Sequence, residues 1–247
     1  MSRPDPACHN RTAATWAIVA VTAMLPSLAT WLYFVAVAGL PPAVVQFTFA
    51  AAKIVQFALP LFWVLIVQRE RFVRPVFSAA GLAEGFGIGL FMMAIMLGVY
   101  YSWLQGATWL MAAGGAAAQK VAGFGIRSGA AFAMLGVFYS AVHSLLEEYY
   151  WRWFVFGQMR RLMPLGLAIV ISSLAFAAHH VIVLAVYFGP LAWPTLLFSL
   201  GVAAAGAAWA WLYQHSGTLL GPWLSHLLAD AAIFLIGYDL LQRTAGF

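Results

Sequence analysis

Leu165 to Tyr187 reads LGLAIVISSLAFAAHHVIVLAVY, a stretch with no Asp, Glu, Lys or Arg and with two adjacent histidines, His179 and His180, well inside it. A helix needs about 20 apolar residues to cross a hydrocarbon core of roughly 30 Å, and this stretch has the length and the composition. Its apolar residues show no period-two alternation, so a strand of a membrane barrel is a poor reading. The segment predicts a transmembrane helix, and the question becomes whether the rest of the chain agrees.

It does. The chain has 247 residues, 64% hydrophobic and 8% charged, where a soluble domain carries about 45–50% apolar and about 25% charged residues. So few charges cannot cover the surface of a soluble globule. A soluble enzyme, a disordered chain and a nucleic-acid-binding domain are excluded together. Apolar runs of spanning length occur at about 14–38, 43–67, 81–104, 129–157, 164–187, 191–213 and 218–241. Pro41 with Pro42, Pro75, Pro164, Gly189 with Pro190, and Ser216 with Gly217 separate them, as chain breakers should. The predicted fold is all-α and polytopic, with about seven transmembrane helices (six to eight) and an active site between helices inside the bilayer.

Residues 105–128, rich in Gly and Ala and holding Lys120 and Arg127, read as a loop with a short interfacial or re-entrant segment, or an eighth short helix. The first span is long and lacks a clear small-residue cleavage site, so it reads as a retained anchor rather than a signal peptide. Residues 1–127 form the N-terminal transmembrane region and 128–247 the catalytic core, expected within one structural domain. The single cysteine, Cys8, excludes an internal disulfide and a multi-thiolate metal site. The net charge of +5 comes from residues at span ends. An N-terminus in the cytoplasm puts Arg3, Arg11, Arg69, Arg71, Arg74, Arg160 and Arg161 inside, and Lys120, Arg127 and Arg243 outside, the bias expected of a membrane protein. The compact chain and short loops suggest a prokaryotic inner membrane.

Ionisable residues inside a span are costly and mark function by default. Here they are His143, Glu147, Glu148, Arg152, His179, His180, His226 and Asp230. Glu84, Asp239 and His215 fall near span ends, where an interfacial place suffices. Glu148 and Arg152 stand four apart with the acid first, the favourable order for a pair on an α-helix. Glu147 is rotated by about 100° from Glu148, and two adjacent carboxylates in low dielectric cannot both ionise cheaply. One of them is therefore suited to act as a general base near neutral pH. His226 and Asp230 also stand four apart, in the last span. Three spans thus present acid, imidazole, and imidazole with acid.

A lone membrane histidine usually bonds a neighbouring helix, the plainer reading for His143 and His179. Glu147, His180, His226 and Asp230 are acceptable zinc ligands in type, but no HExxH pairing exists. A proton-coupled transporter would use similar relays, though no inverted repeat is visible.

Three motifs occur in order: Glu147-Glu148-Tyr149-Tyr150-Trp151-Arg152, then Phe176-Ala177-Ala178-His179-His180, then His226-Leu227-Leu228-Ala229-Asp230. They resemble the EExxxR, FxxxH and HxxxN/D of the CPBP family, the CAAX proteases and bacteriocin-processing (Abi) proteins. The resemblance spans roughly 128–241, and the approach Ser216-Gly217-Thr218-Leu219-Leu220-Gly221-Pro222 is similar too. It implies an all-helical intramembrane glutamic endopeptidase that needs no metal or other cofactor. Glu147 and His180 would activate water, His226 with Asp230 would hold the oxyanion, and Glu148 with Arg152 would shape the site. Where eukaryotic-type members carry Asn, this chain has Asp230. An ionised carboxylate only accepts hydrogen bonds, so Asp230 is either protonated or orients His226, and the four-residue spacing favours orientation. The implied partners are the lipid bilayer and a membrane-anchored peptide or protein substrate, of CaaX or C-terminal sorting-tag type, with no nucleic acid. A catalytically silent scaffold or immunity protein on the same helices is the alternative.

Overall fold

The computed structural model describes residues 6–71 and 77–245, with side chains from 12 to 71 and 77 to 244. Arg3, Arg74 and Pro75, used above for orientation and as a breaker, lie outside the described residues, as do the side chains of Cys8 and Arg11. The described chain is helical and contains no strand. Seven helices are long and apolar enough to cross a membrane: α1 (Thr12–Ala36), α2 (Pro42–Val67), α3 (Ala79–Leu104), α5 (Gly129–Arg160), α6 (Leu165–Phe188), α7 (Trp193–Ser216) and α8 (Leu220–Thr244). The stretch after α3 contains a helix of its own, α4 (Thr108–Gly123). At 1.5 Å per residue α4 is about 24 Å long, short of the hydrocarbon core. Gly189 and Gly217 adopt φ of 95° and 68°, left-handed values that suit glycine, and they end α6 and α7 where the sequence places breakers.

By internal contacts the chain forms two compact units, one of Met1–Arg74, Tyr150–Val186 and Trp193–Ala210, the other of Pro75–Tyr149, Tyr187–Ala192 and Trp211–Phe247.

In the first unit, proline sets the packing of α1. Pro26 has no N–H, so the carbonyl of Thr22 four residues back loses its helical partner. The Tyr150 hydroxyl donates to that carbonyl at 2.6 Å, and the buried Thr22 hydroxyl turns to the Ile18 carbonyl at 2.7 Å. A polar group exposed by proline within a membrane helix is thereby satisfied from a neighbouring segment. At the end of α2, Gln68 and Gln158 exchange amide hydrogen bonds of 3.0 and 3.1 Å. Beside them Arg161 grips Glu70 with two bonds of 2.7 and 2.9 Å. This pairing, foremost the hydrogen bond, holds the Glu70 carboxyl below its ordinary range.

In the second unit, α3 meets α8 along small residues. Gly81, Gly85 and Gly89 repeat every four positions and are buried, and a Cβ at Gly89 would fall 2.7 Å from the Ser225 Cα. Gly85 lies against Gly221 and Gly81 against Ser216. This is backbone-to-backbone packing of the small-xxx-small kind, the way membrane helices associate without a hydrophobic drive between them. The same economy brings α5 onto α8: Cβ atoms at Gly136 and Gly129 would come within 3.1 Å of the Phe234 ring and 2.9 Å of the Tyr238 hydroxyl. With α3 on one side and α5 on another, α8 has little freedom to rotate. His226, next to Ser225 in sequence, points where that packing sends it.

Candidate active site

The acidic pair sits on a helix whose turns are not uniform. α5 has π-helical turns over Phe138–His143 and again over Tyr149–Phe156, with ordinary α turns over Ser144–Glu148 between them. π turns inside α-helices are rare and concentrate at functional sites. The second π stretch begins right after Glu148, so the four-residue rule behind a Glu148–Arg152 pair does not describe the backbone there.

Within the second unit, Glu147, Glu148, His226, Asp230 and His143 converge. His226 is the hub. Its Nδ1 lies 2.7 Å from Glu148 Oε1, and Glu148 is fully buried. A carboxylate accepts, so Nδ1–H is the donor and the imidazole tautomer is fixed from that side. The other nitrogen, Nε2, faces two further carboxylates, Glu147 Oε2 at 3.8 Å and Asp230 Oδ1 at 3.7 Å. Glu147 is approached from its own helix as well, with His143 Nε2 3.7 Å from Oε1. The Trp223 indole, one turn before His226, donates to the Ala141 carbonyl at 2.9 Å and pins α8 to α5.

Of the three carboxylates around the His226 ring, Glu148 stands at hydrogen-bond length, while Asp230, four residues on, is 3.7 Å from Nε2. Asp230 and Glu147 both stand on the Nε2 side of the ring. The Asp230 side chain is also more accessible, 19% against 5% for His226.

The remaining predicted residues belong to the first unit. The Arg152 guanidinium lies 4.6 Å from the Phe176 ring centroid and 5.0 Å from that of Trp209, and one of its nitrogens donates to the Gly206 carbonyl at 3.4 Å. Gly206 makes this possible, since a Cβ there would press on the Phe176 ring at 3.1 Å. The phenylalanine of FxxxH thus has a physical role, because it provides a face for the arginine of EExxxR. His180 Nδ1 is 3.2 Å from the Phe176 carbonyl, so Nδ1–H donates and Nε2 is left as the acceptor of the neutral ring. His179 stacks parallel to the Trp151 ring at 5.9 Å, a packing role that suits its burial.

The residues placed near span ends also find partners. Glu84 faces His215 at 3.7 Å. Asp239 accepts from Tyr100 at 2.6 Å, Arg243 at 2.7 Å and Gln105 at 3.2 Å. Gly206, Trp209, Trp223 and the Gly81–Gly85–Gly89 repeat carry no ionisable group, so nothing in their chemistry marks them in the sequence; four-residue spacing of glycines was the available signal for the last. Lys53 is a further ionisable residue inside α2, and the rule that charge within a span marks function selects it too. Its ammonium lies 5.8 and 5.5 Å from the Phe49 and Phe57 ring centroids, stabilised by their faces.

Residues 129–232, which hold all three motifs, match the Rce1-like type II CAAX prenyl endopeptidase family. With seven helices of spanning length the chain is a multi-pass integral membrane protein. No curated protein and no solved structure gives a significant match.

Proposed function

We propose that the protein is an intramembrane glutamic endopeptidase that cuts a peptide bond of a membrane-anchored peptide or protein, at a CaaX-type or C-terminal sorting-tag site. Residues 128–247 form its catalytic core and residues 1–127 its N-terminal membrane region, with the N-terminus in the cytoplasm of a prokaryotic cell. The observation that carries the reading is the clamped His226, whose Nδ1 is bound to buried Glu148 while Nε2 faces Glu147.

In this scheme Glu147 removes a proton from water as the water oxygen adds to the scissile carbonyl carbon. His180, its Nδ1 committed to the Phe176 carbonyl, accepts the second water hydrogen at Nε2 and aims the lone pair. The carbonyl oxygen becomes an oxyanion, and protonated His226 donates to it from Nε2 while Glu148 balances the charge at Nδ1. Glu147 then returns its proton to the amide nitrogen, the C–N bond breaks, and a carboxylic acid and an amine leave. Asp230 borders the oxyanion from the Nε2 side, where it donates if protonated. Arg152, braced by Phe176 and Trp209, shapes the wall.

The scheme uses no metal. Imidazole and carboxylate are also zinc donors, so one experiment serves both questions: cleavage of a membrane-anchored, C-terminally tagged peptide by the purified protein in detergent, with and without chelator. Cleavage that survives the chelator and disappears in Glu147→Gln supports the proposal. Loss with chelator and recovery with zinc would give Glu147, His180 and His226 ligand roles.

A further inference from the structure

The oxyanion of the proposed cycle is short of donors. Addition of water concentrates charge on one carbonyl oxygen, and sites that stabilise such an oxygen aim preorganised donors at it. His226 supplies one from Nε2, since its Nδ1 is taken by Glu148. An ionised Asp230 only accepts hydrogen bonds. Glu147, once it holds the water proton, must give it to the amide nitrogen. A neutral hydroxyl on the Nε2 side would complete the set.

Tyr139 stands at the right level of the fold. Within the second unit α5 and α8 run antiparallel: Gly129 faces Tyr238, Gly136 faces Phe234, and the Ala141 carbonyl accepts from Trp223. Tyr139, between Gly136 and Ala141, is therefore level with the stretch of α8 between Trp223 and Phe234, which carries His226 and Asp230. Two neighbours hold its ring, Phe234 at 5.7 Å and His143 edge-on at 4.8 Å and 88°. Among the described residues its hydroxyl enters no hydrogen bond. The same hydroxyl lies within electrostatic reach of the Glu147 and Asp230 carboxylates, the two acids on the Nε2 side of His226. Tyr139 also belongs to the π-helical turn Phe138–His143, a kind of turn that concentrates at functional sites.

Resting on the proposed roles of Glu147 and His226, we infer that the Tyr139 hydroxyl is a second oxyanion donor beside His226 Nε2. The oxygen of the tetrahedral intermediate accepts from both. The phenol keeps its proton throughout, so the proton balance of the cycle is untouched. A neutral O–H donates without bringing another charge among three carboxylates. It also lets the site work with Asp230 at a position where an amide would have donated. Touching the reacting oxygen, Tyr139 is a catalytic residue.

The test is cleavage of the membrane-anchored, C-terminally tagged peptide in detergent by Tyr139→Phe, Asp230→Asn and the double variant, beside wild type and Glu147→Gln. Phe keeps the ring against Phe234 and His143 and removes only the oxygen. The expected result is a kcat lower by about a hundredfold, the cost of one lost oxyanion donor. KM, the thermal transition and the shape of the pH profile should not move. In the Asp230→Asn background, where the amide supplies a donor, the same change should cost about tenfold or less. A wild-type kcat in Tyr139→Phe while Glu147→Gln is inactive overturns the inference. So does an equal loss in both backgrounds, or a loss that accompanies a lowered thermal transition, since packing alone would produce it. A displaced limb of the pH profile would make the phenol a proton-transfer group and overturn it as well. Activity retained by Glu147→Gln would instead remove the catalytic reading beneath it.

Discussion

The acid–imidazole cluster around His226 and the aromatic cradle around Arg152 lie on consecutive turns of the same helix, yet they treat charge in opposite ways. Around His226, titratable groups meet one another: Glu148, Glu147 and Asp230 surround one imidazole, and His143 approaches Glu147. Around Arg152, the guanidinium lies against the Phe176 and Trp209 rings and donates to the Gly206 carbonyl. Two buried charged regions of one membrane protein thus differ in kind: one gathers titratable groups around an imidazole, the other offers aromatic faces to its charge.

The comparison is broken most decisively at Glu147. Glu147→Gln should lower proteolysis by about a thousandfold or more while leaving the thermal transition in detergent nearly unchanged, because a base that generates the nucleophile is irreplaceable. Glu148→Gln comes next. Gln can still accept from His226 Nδ1 but no longer balances an imidazolium, so kcat should fall about a hundredfold. The loss of a buried charge-assisted bond should also cost about 1.5–3 kcal/mol of stability, which separates it from Glu147→Gln in an unfolding measurement. Equal, purely catalytic losses would show that the two carboxylates act as one group.

A third test leaves the charges alone. Gly89→Ala puts a methyl group 2.7 Å from the Ser225 Cα, next to His226. Overpacking of this kind costs about 1–3 kcal/mol, and activity should fall with stability. An Ala variant of normal stability and rate would mean that α3 does not set the rotation of α8.

These tests also separate what could be read in the chain from what could not. The spans were legible because the bilayer demands length and apolarity and little else. Their bounds differ from the expected ones by a few residues, and the Gly/Ala-rich stretch contains the short helix Thr108–Gly123. That three spans carry acid and imidazole was legible in the sequence. The 2.7 Å contact of Glu148 with His226 was not, because spacing on one helix speaks only for that helix. Tyr150 satisfying the Thr22 carbonyl was half legible: Pro26 announces an orphaned carbonyl but not what will reach it.

Asp230 gives a smaller effect that sharpens the reactive side. With Glu148 orienting the ring, Asp230→Asn should keep most of the activity, within about tenfold, since its amide can donate toward the oxyanion from the Nε2 side. Asp230→Leu should lose clearly more. A dead Asn variant lacking a limb of the pH–rate profile near neutral pH would show that Asp230 titrates during turnover.

The smallest effect lies outside both regions, at Glu70 beyond the end of α2. Its bidentate contact with Arg161 lowers the carboxyl from its ordinary value. A carboxyl lowered by folding contributes stability that is fully present above its unfolded value and fades as pH falls through the folded one. Wild type should therefore lose slightly more stability than Glu70→Gln between about pH 5 and pH 3, and both should be flat from pH 6 to 8. Both side chains of this pair are nearly half exposed, 45% and 48%, so solvent screening holds the difference below about 1 kcal/mol. High salt should erase it. Thermal scans of the two proteins across that window, at low and high salt, give the answer. A difference that survives salt would mean that Glu70 and Arg161 act with the Gln68–Gln158 amide pair beside them as one unit, and a double mutant should then show less than additive loss.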